Sequence, residues 1–208
     1  MMFELYISSL ITFFVVIDPP GCAPIYAGLS AGATPPHRRA MAVRAVFVAS
    51  LILFVFALFG EALLRALGIS LASFRIAGGI MLFLIALEMV FEKRTQRRED
   101  RAAKVIETHV EDVSIFPMAM PMIAGPGSIA SVMLLMGRND GLERSVVILG
   151  ALATILLLTL AALLAAGPIM RVLGVKIEAV ITRLLGVLLA ALAVQFVIDG
   201  VKIALLGG

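Results

Sequence analysis

Apolar residues along this chain run in six long stretches with no sustained polar alternation: about residues 5–28, 43–64, 71–91, 113–136, 145–167 and 180–206. About 20 apolar residues in a helix cross a hydrocarbon layer about 30 Å thick, so each stretch predicts a transmembrane helix. Stretches three and six are less uniform, with Arg75 and Arg183 near their starts and Glu88 and Asp199 near their ends. Between stretches three and four lies the one strongly charged run, Glu92 to Asp112, which holds Lys93, Arg94, Arg97, Arg98, Arg101 and Lys104. The pattern therefore predicts an all-α integral membrane protein with a charged central loop and no separate soluble domain.

Two of the six stretches are broken alike. Asp18, Pro19, Pro20 and Gly21 interrupt the first, and Gly125, Pro126, Gly127 and Ser128 interrupt the fourth. Aligned on the shared Pro-Gly, Cys22 falls on Ser128 at an offset of 106 residues, about half of the 208-residue chain. A second match, Arg75 and Gly78 against Arg183 and Gly186, has an offset of 108. The agreement of the two offsets predicts two three-helix repeats, residues 1–91 and 113–208, joined by a charged cytoplasmic linker over residues 92–112. Three spans per repeat is an odd number, so the second repeat enters the membrane in the opposite sense and the repeats are inverted. Small residues along spans three and six (Gly78, Gly79 and Ala86; Gly186, Ala190 and Ala193) permit close helix approach where no hydrophobic force acts between helices.

Composition supports the membrane reading. Hydrophobic residues make up 62% of the chain and charged residues 15%, against about 25% charge in a soluble domain. The mean hydropathy is +1.10. The isoelectric point of 9.4 reflects topology rather than nucleic-acid binding. Twelve of the 17 Lys and Arg lie in loops one, three and five, and five on the opposite side, so the basic loops are expected in the cytoplasm and both termini outside. No Lys or Arg precedes the first apolar run, so residues 1–28 are read as a retained span rather than a cleaved signal. Cys22 is the single cysteine; it permits no internal disulfide and reads first as a small packing residue.

The breaks carry the candidate chemistry. Asp18 can cap a new helix that Pro19 opens, and Gly125 can cap one that Pro126 opens, which breaks spans one and four near mid-membrane. Backbone left open in hydrocarbon is tolerated only where protein covers it or a wet cavity meets it. The start of each half-helix presents N–H groups and partial positive charge, suited to a carboxylate. A small amino acid is a natural ligand, its carboxylate at Gly125 to Ser128 and its ammonium group facing Asp18 or open carbonyls. Asp18 is the one formal charge between Leu5 and Pro36, a position that suits an ion or substrate pathway, a cap, or both.

The substrate-binding candidates are Asp18, Gly21, Cys22, Gly125, Gly127, Ser128 and Gln195, with Pro19, Pro20 and Pro126 as helix breakers. Ser128 can meet substrate or bond to the preceding turn. Gln195, deep in span six, suits an interhelical hydrogen bond or substrate contact. Glu88 and Asp199 sit near span ends where water is in reach, Arg75 and Arg183 suit the membrane surface, and Thr12 suits a bond to its own backbone. No metal-ligand cluster, cofactor motif, Walker loop or dinucleotide fingerprint is present, so neither an enzyme nor an ATP-driven pump is expected.

At these residues the chain resembles the MarC family, also called the six-helix neutral amino acid transporter family, within the LysE-like superfamily. The matching segments are FFVVIDPPGCAPIYAGLS at 13–30, FRIAGGIMLFLIALEMVF at 74–91, FPMAMPMIAGPGSIASVMLL at 116–135 and TRLLGVLLAALAVQFVIDG at 182–200. Many members have Asn-Pro where this chain has Asp18 and Pro19. The resemblance implies a multi-pass protein of the bacterial inner membrane and, for some members, transport of small neutral amino acids.

The sequence thus supports a secondary transporter of small neutral solutes, most readily neutral amino acids, working by alternating access with H+ or Na+ as coupling ion. The alternatives are a passive pore for small ions or solutes and a non-transporting membrane scaffold. The lipid bilayer is an obligatory partner, nucleic acid is not, and homo-oligomerisation stays open.

Overall fold

A computed structural model of the chain describes residues 2–91, 93–107, 112–139 and 141–206. Among the described residues the regular structure is helical: α1 (Met2–Ile17), α2 (Pro19–Leu29), α3 (Pro35–Ala66), α4 (Leu71–Val90), α5 (Lys93–Glu107), α6 (Pro126–Arg138), α7 (Leu142–Leu164) and α8 (Ala166–Leu206). Before α6, Ser114–Ile123 coils loosely, with Phe116 (φ −125°, ψ 126°) and Met120 (φ −130°, ψ 126°) extended. Each precedes a proline, whose ring pushes its neighbour out of the helical region. Five helices are long and apolar enough to cross a membrane, or six if Ser114–Ile123 and α6, bent by 50°, count as one span.

The local signals act where chemistry requires. Thr34 and Ser70 stand at the caps of α3 and α4, with Pro35 opening α3 and the Ser70 hydroxyl accepting from the Ser73 N–H (3.1 Å). α3 turns its small residues inward: Ala42, Ala45, Ala49, Ala57 and Gly60 are buried, while Val43, Phe47, Leu51, Val55 and Phe59 are exposed. That is the inverse of a soluble helix. Lipid tails solvate the large side chains, and close packing draws the small ones together. The densest packing joins α4 and α8, which run antiparallel with glycines at the crossing. A Cβ at Gly79 would lie 2.8 Å from the Ala193 carbonyl oxygen, at Gly186 3.1 Å from that of Ala86, and at Gly200 3.0 Å from that of Ala72.

Three sequence expectations change. The charged linker is not a loop: Lys93–Glu107 is a helix that packs on α2, α4 and the Ser114–Ile123 coil. With no Gly or Pro in fifteen residues, nothing in it interrupts a helix. The connection between spans five and six is helical as well, because α8 begins at Ala166, ahead of Val180–Leu205, the part that qualifies as a span among the described residues. Arg75 does not snorkel into the surroundings. It is buried, and its Nη2 donates to the Gly137 carbonyl (2.7 Å) at the end of α6, where a cation meets the negative end of the helix dipole. Thr12 bonds to the Ser8 carbonyl (2.8 Å), as its position in span one suggests. His109 and Gly207 lie outside the described residues.

Candidate functional site

Both proline-glycine sequences open helices. Asp18 stands at φ 59°, ψ 65°, a left-handed conformation that Asp and Asn tolerate better than most residues. Its Oδ1 accepts from the Gly21 N–H (3.1 Å), the N-cap bond of α2. Gly125 stands at the N-cap of α6 with no side-chain hydrogen bond, and Pro126 opens that helix. Only glycine fits at 125, since a Cβ there would lie 2.3 Å from the Pro121 carbonyl oxygen. Cys22 and Ser128 take the same part in their helices. The Cys22 Sγ approaches the Ile17 carbonyl (3.5 Å), and the Ser128 Oγ donates to the Ile123 carbonyl (2.7 Å). Each reaches back five residues across its break, so Ser128 spends its hydroxyl proton on the backbone.

The two helix starts differ in what covers them. At α2, Asp18 is 1% exposed and pairs through Oδ2 with Arg98 Nη1 (2.9 Å). Arg98 comes from α5 and is 6% exposed. A Cβ on Gly21 would lie 2.2 Å from Asp18 Oδ2 and 3.0 Å from Arg98 Nη1, so this glycine makes room for the pair. In this structure both carboxylate oxygens of Asp18 have partners within the protein. One carboxylate oxygen bonds the helix start and the other Arg98, because the linker folds into a helix that delivers a cation.

At α6 a cavity of about 360 Å³ takes the place of a carboxylate. Gly125, Pro126, Gly127 and Ser128 form one wall, and Ile85 and Glu88 of α4 and Arg97 and Arg98 of α5 form others. The first-turn N–H groups of a helix lack intrahelical partners, so Gly127 and Ser128 bring a donor pair to this wall. A Cβ on Gly127 would lie 2.5 Å from Ile85 Cδ1, so the glycine also sets how closely α4 approaches. Glu88 pairs with Arg97 at 2.7 Å. A carboxylate, two guanidinium groups and a helix N-terminus thus surround one small, otherwise apolar space.

The sequence-predicted residues separate into groups. Gly125, Gly127, Ser128 and Pro126 line the cavity. Asp18, Gly21 and Cys22, with Pro19 and Pro20, lie at the neighbouring sealed break, reached through Arg98. Gln195 is exposed on α8 and donates to Asp199 (2.7 Å) within its own helix, and Asp199 pairs with Arg138 (3.3 Å); it joins neither break. Glu88, Arg97 and Arg98 were not singled out as site residues from sequence. The unbroken helical run of Lys93 to Glu107, with Ala102 buried one turn beyond Arg98, is the signal that points to them.

Residues 3–205 match the model of the MarC family, described as integral membrane proteins. A UPF0056 membrane protein of Methanocaldococcus jannaschii is 34% identical over 206 residues, covering 98% of each chain. The UPF0056 membrane protein YvbG of Bacillus subtilis is 32% identical over 97% of this chain and 96% of its own. The UPF0056 membrane protein YhcE of Escherichia coli is 30% identical over 96% and 93%. No solved structure matches.

Proposed function

The chain belongs to the MarC family of integral membrane proteins, and on that premise we propose that it is a secondary transporter of small zwitterions, neutral amino acids first among them, with the α6 cavity as the substrate site. One observation carries the reading. The cavity of about 360 Å³ holds an uncapped helix N-terminus for a carboxylate, beside the Arg97–Glu88 pair, whose charges a bound zwitterion would meet one for one, and beside Arg98, which pairs with Asp18. Its volume is at the small end of ligand pockets, which run from about 300 to 1,000 Å³. Asp18 on α2 is the precedent inside the same molecule: a carboxylate seated on a proline-opened helix start beside Arg98. In this reading the substrate carboxylate occupies at α6 the place that Asp18 fills at α2.

The architecture we infer is two inverted three-helix repeats. In its support, α4 and α8 pack antiparallel with Gly79, Gly186 and Gly200 at their seam, and Cys22 and Ser128 make corresponding bonds across their breaks. Such repeats place substrate at discontinuous helices between them, and rocking of one against the other gives alternating access. With both termini outside, α1 at 16 residues descends about 24 Å of a core about 30 Å thick. Its break then lies toward the cytoplasmic side, within reach of a basic helix at that surface.

The test is uptake by reconstituted vesicles of a panel of labelled glycine, alanine, serine and threonine under a proton or a sodium gradient. Saturable uptake that Glu88→Gln weakens supports the proposal. Silence across the panel under both gradients refutes it, and ohmic single-channel current replaces it with a pore.

A further inference from the structure

We propose that α5 is a latch over the α6 cavity, held shut by the Arg98–Asp18 pair, so that breaking this pair exposes the cavity wall at Ser128. The inference concerns regulation of the site assigned above and rests on that cavity being the functional one. Four observations carry it.

First, most of the described side chains of α5 are polar and exposed. Of its side chains described, Arg98 and Ala102 are buried, while Lys93, Gln96, Arg97, Glu99, Asp100 and Ala103 are exposed. Second, its two described inward ties are ion pairs to different elements: Arg98 to Asp18 at the α1–α2 break, and Arg97 to Glu88 on α4. Third, both arginines line the cavity, so the helix that carries them forms part of its wall. Fourth, Gly21 leaves the space that the pair fills.

The energetics of a buried ion pair suit a contact that must open and close. Desolvation of the two charges offsets much of their attraction, so the closed pair is a contact of modest net strength that can open. Its specificity is nonetheless high, because the guanidinium must meet one carboxylate in one place. A purely apolar latch of equal area lacks that selectivity.

The experiment needs no substrate, so its failure is distinct from failure of the transport reading. Ser128→Cys on a Cys22→Ser background exchanges two residues that occupy corresponding sites, which makes the reporter a mild change. In lipid nanodiscs, the labelling rate of this cysteine by a bulky charged maleimide is measured with the pair intact and in Asp18→Asn/Arg98→Gln, which removes both charges together. The expected result is slow labelling with the pair intact and about tenfold faster labelling in the double variant, equivalent to about 1.4 kcal/mol in the opening equilibrium. Arg98→Lys keeps the charge but not the planar fork and should label at an intermediate rate, which decides the matter if the double variant does not fold. Fast labelling of the intact protein, or equal rates in all variants that fold, overturns the latch.

Discussion

Asp18→Asn is the substitution on which sequence and structure part most sharply. From sequence it is nearly harmless to the fold, because Asn caps helices as well as Asp and accepts the left-handed φ of 59°. The structure adds Arg98, buried and 2.9 Å from Asp18 Oδ2, which Asp18→Asn leaves without its counter-charge. Removing one partner of a buried pair costs about 3–5 kcal/mol, so both Asp18→Asn and Arg98→Gln should destabilise by about that much. Asp18→Ala should be worse still. It also removes the cap, about 0.5–2 kcal/mol, and places alanine in the left-handed region, about 1–2 kcal/mol. The double variant Asp18→Asn/Arg98→Gln removes both charges and should fall well short of the sum of the single losses, with a coupling of at least about 2 kcal/mol. Reversible denaturant unfolding in detergent micelles, followed by circular dichroism across the four-protein cycle, reads this directly. A neutral Asp18→Asn, or single losses that simply add, refutes the pair as a structural contact and removes the foundation of the latch.

Three further outcomes are expected. Gly79→Ala places a Cβ 2.8 Å from the Ala193 carbonyl oxygen at the α4–α8 seam, where backbone must yield, and should cost about 1–3 kcal/mol in the same assay; a neutral result means that the seam is looser than described. Asp112 lies outside the spans. Burial raises its pKa, but the hydrogen bond from the Ser114 N–H (2.9 Å) and the charges of Arg44 and His37 outweigh this and hold it below the ordinary 3.8. Its contribution to stability is therefore complete above about pH 4 and disappears as pH falls through the lowered value. Asp112→Asn should accordingly lower stability at pH 6 and make no difference at the most acid pH at which the protein still unfolds reversibly; a loss independent of pH contradicts this. Lys93→Cys, on a Cys22→Ser background, should react only with membrane-permeant thiol reagents in intact cells, and Lys202→Cys with impermeant ones from outside. The reverse pattern overturns the orientation.

Hydropathy was sufficient for the membrane class and the approximate spans, because an unbroken helix of about 20 apolar residues has few alternatives in water or lipid. Proline and glycine were sufficient for the helix starts at Pro19 and Pro126, since a missing N–H and a fixed φ act within one turn and need no tertiary partner. Sequence could not tell which start was sealed and which lay open. That depends on the charged helix between the spans, whose residues read locally as solvated loop until packing on α2 and α4 brings Arg98 to Asp18 and Arg97 to Glu88. A residue's charge is legible in one letter, but its partner eighty positions away is chosen by the fold. Hence Gln195, apolar-flanked in sequence, is exposed on α8, while Arg98, one of six Lys and Arg in a polar run, is among the most buried charges described.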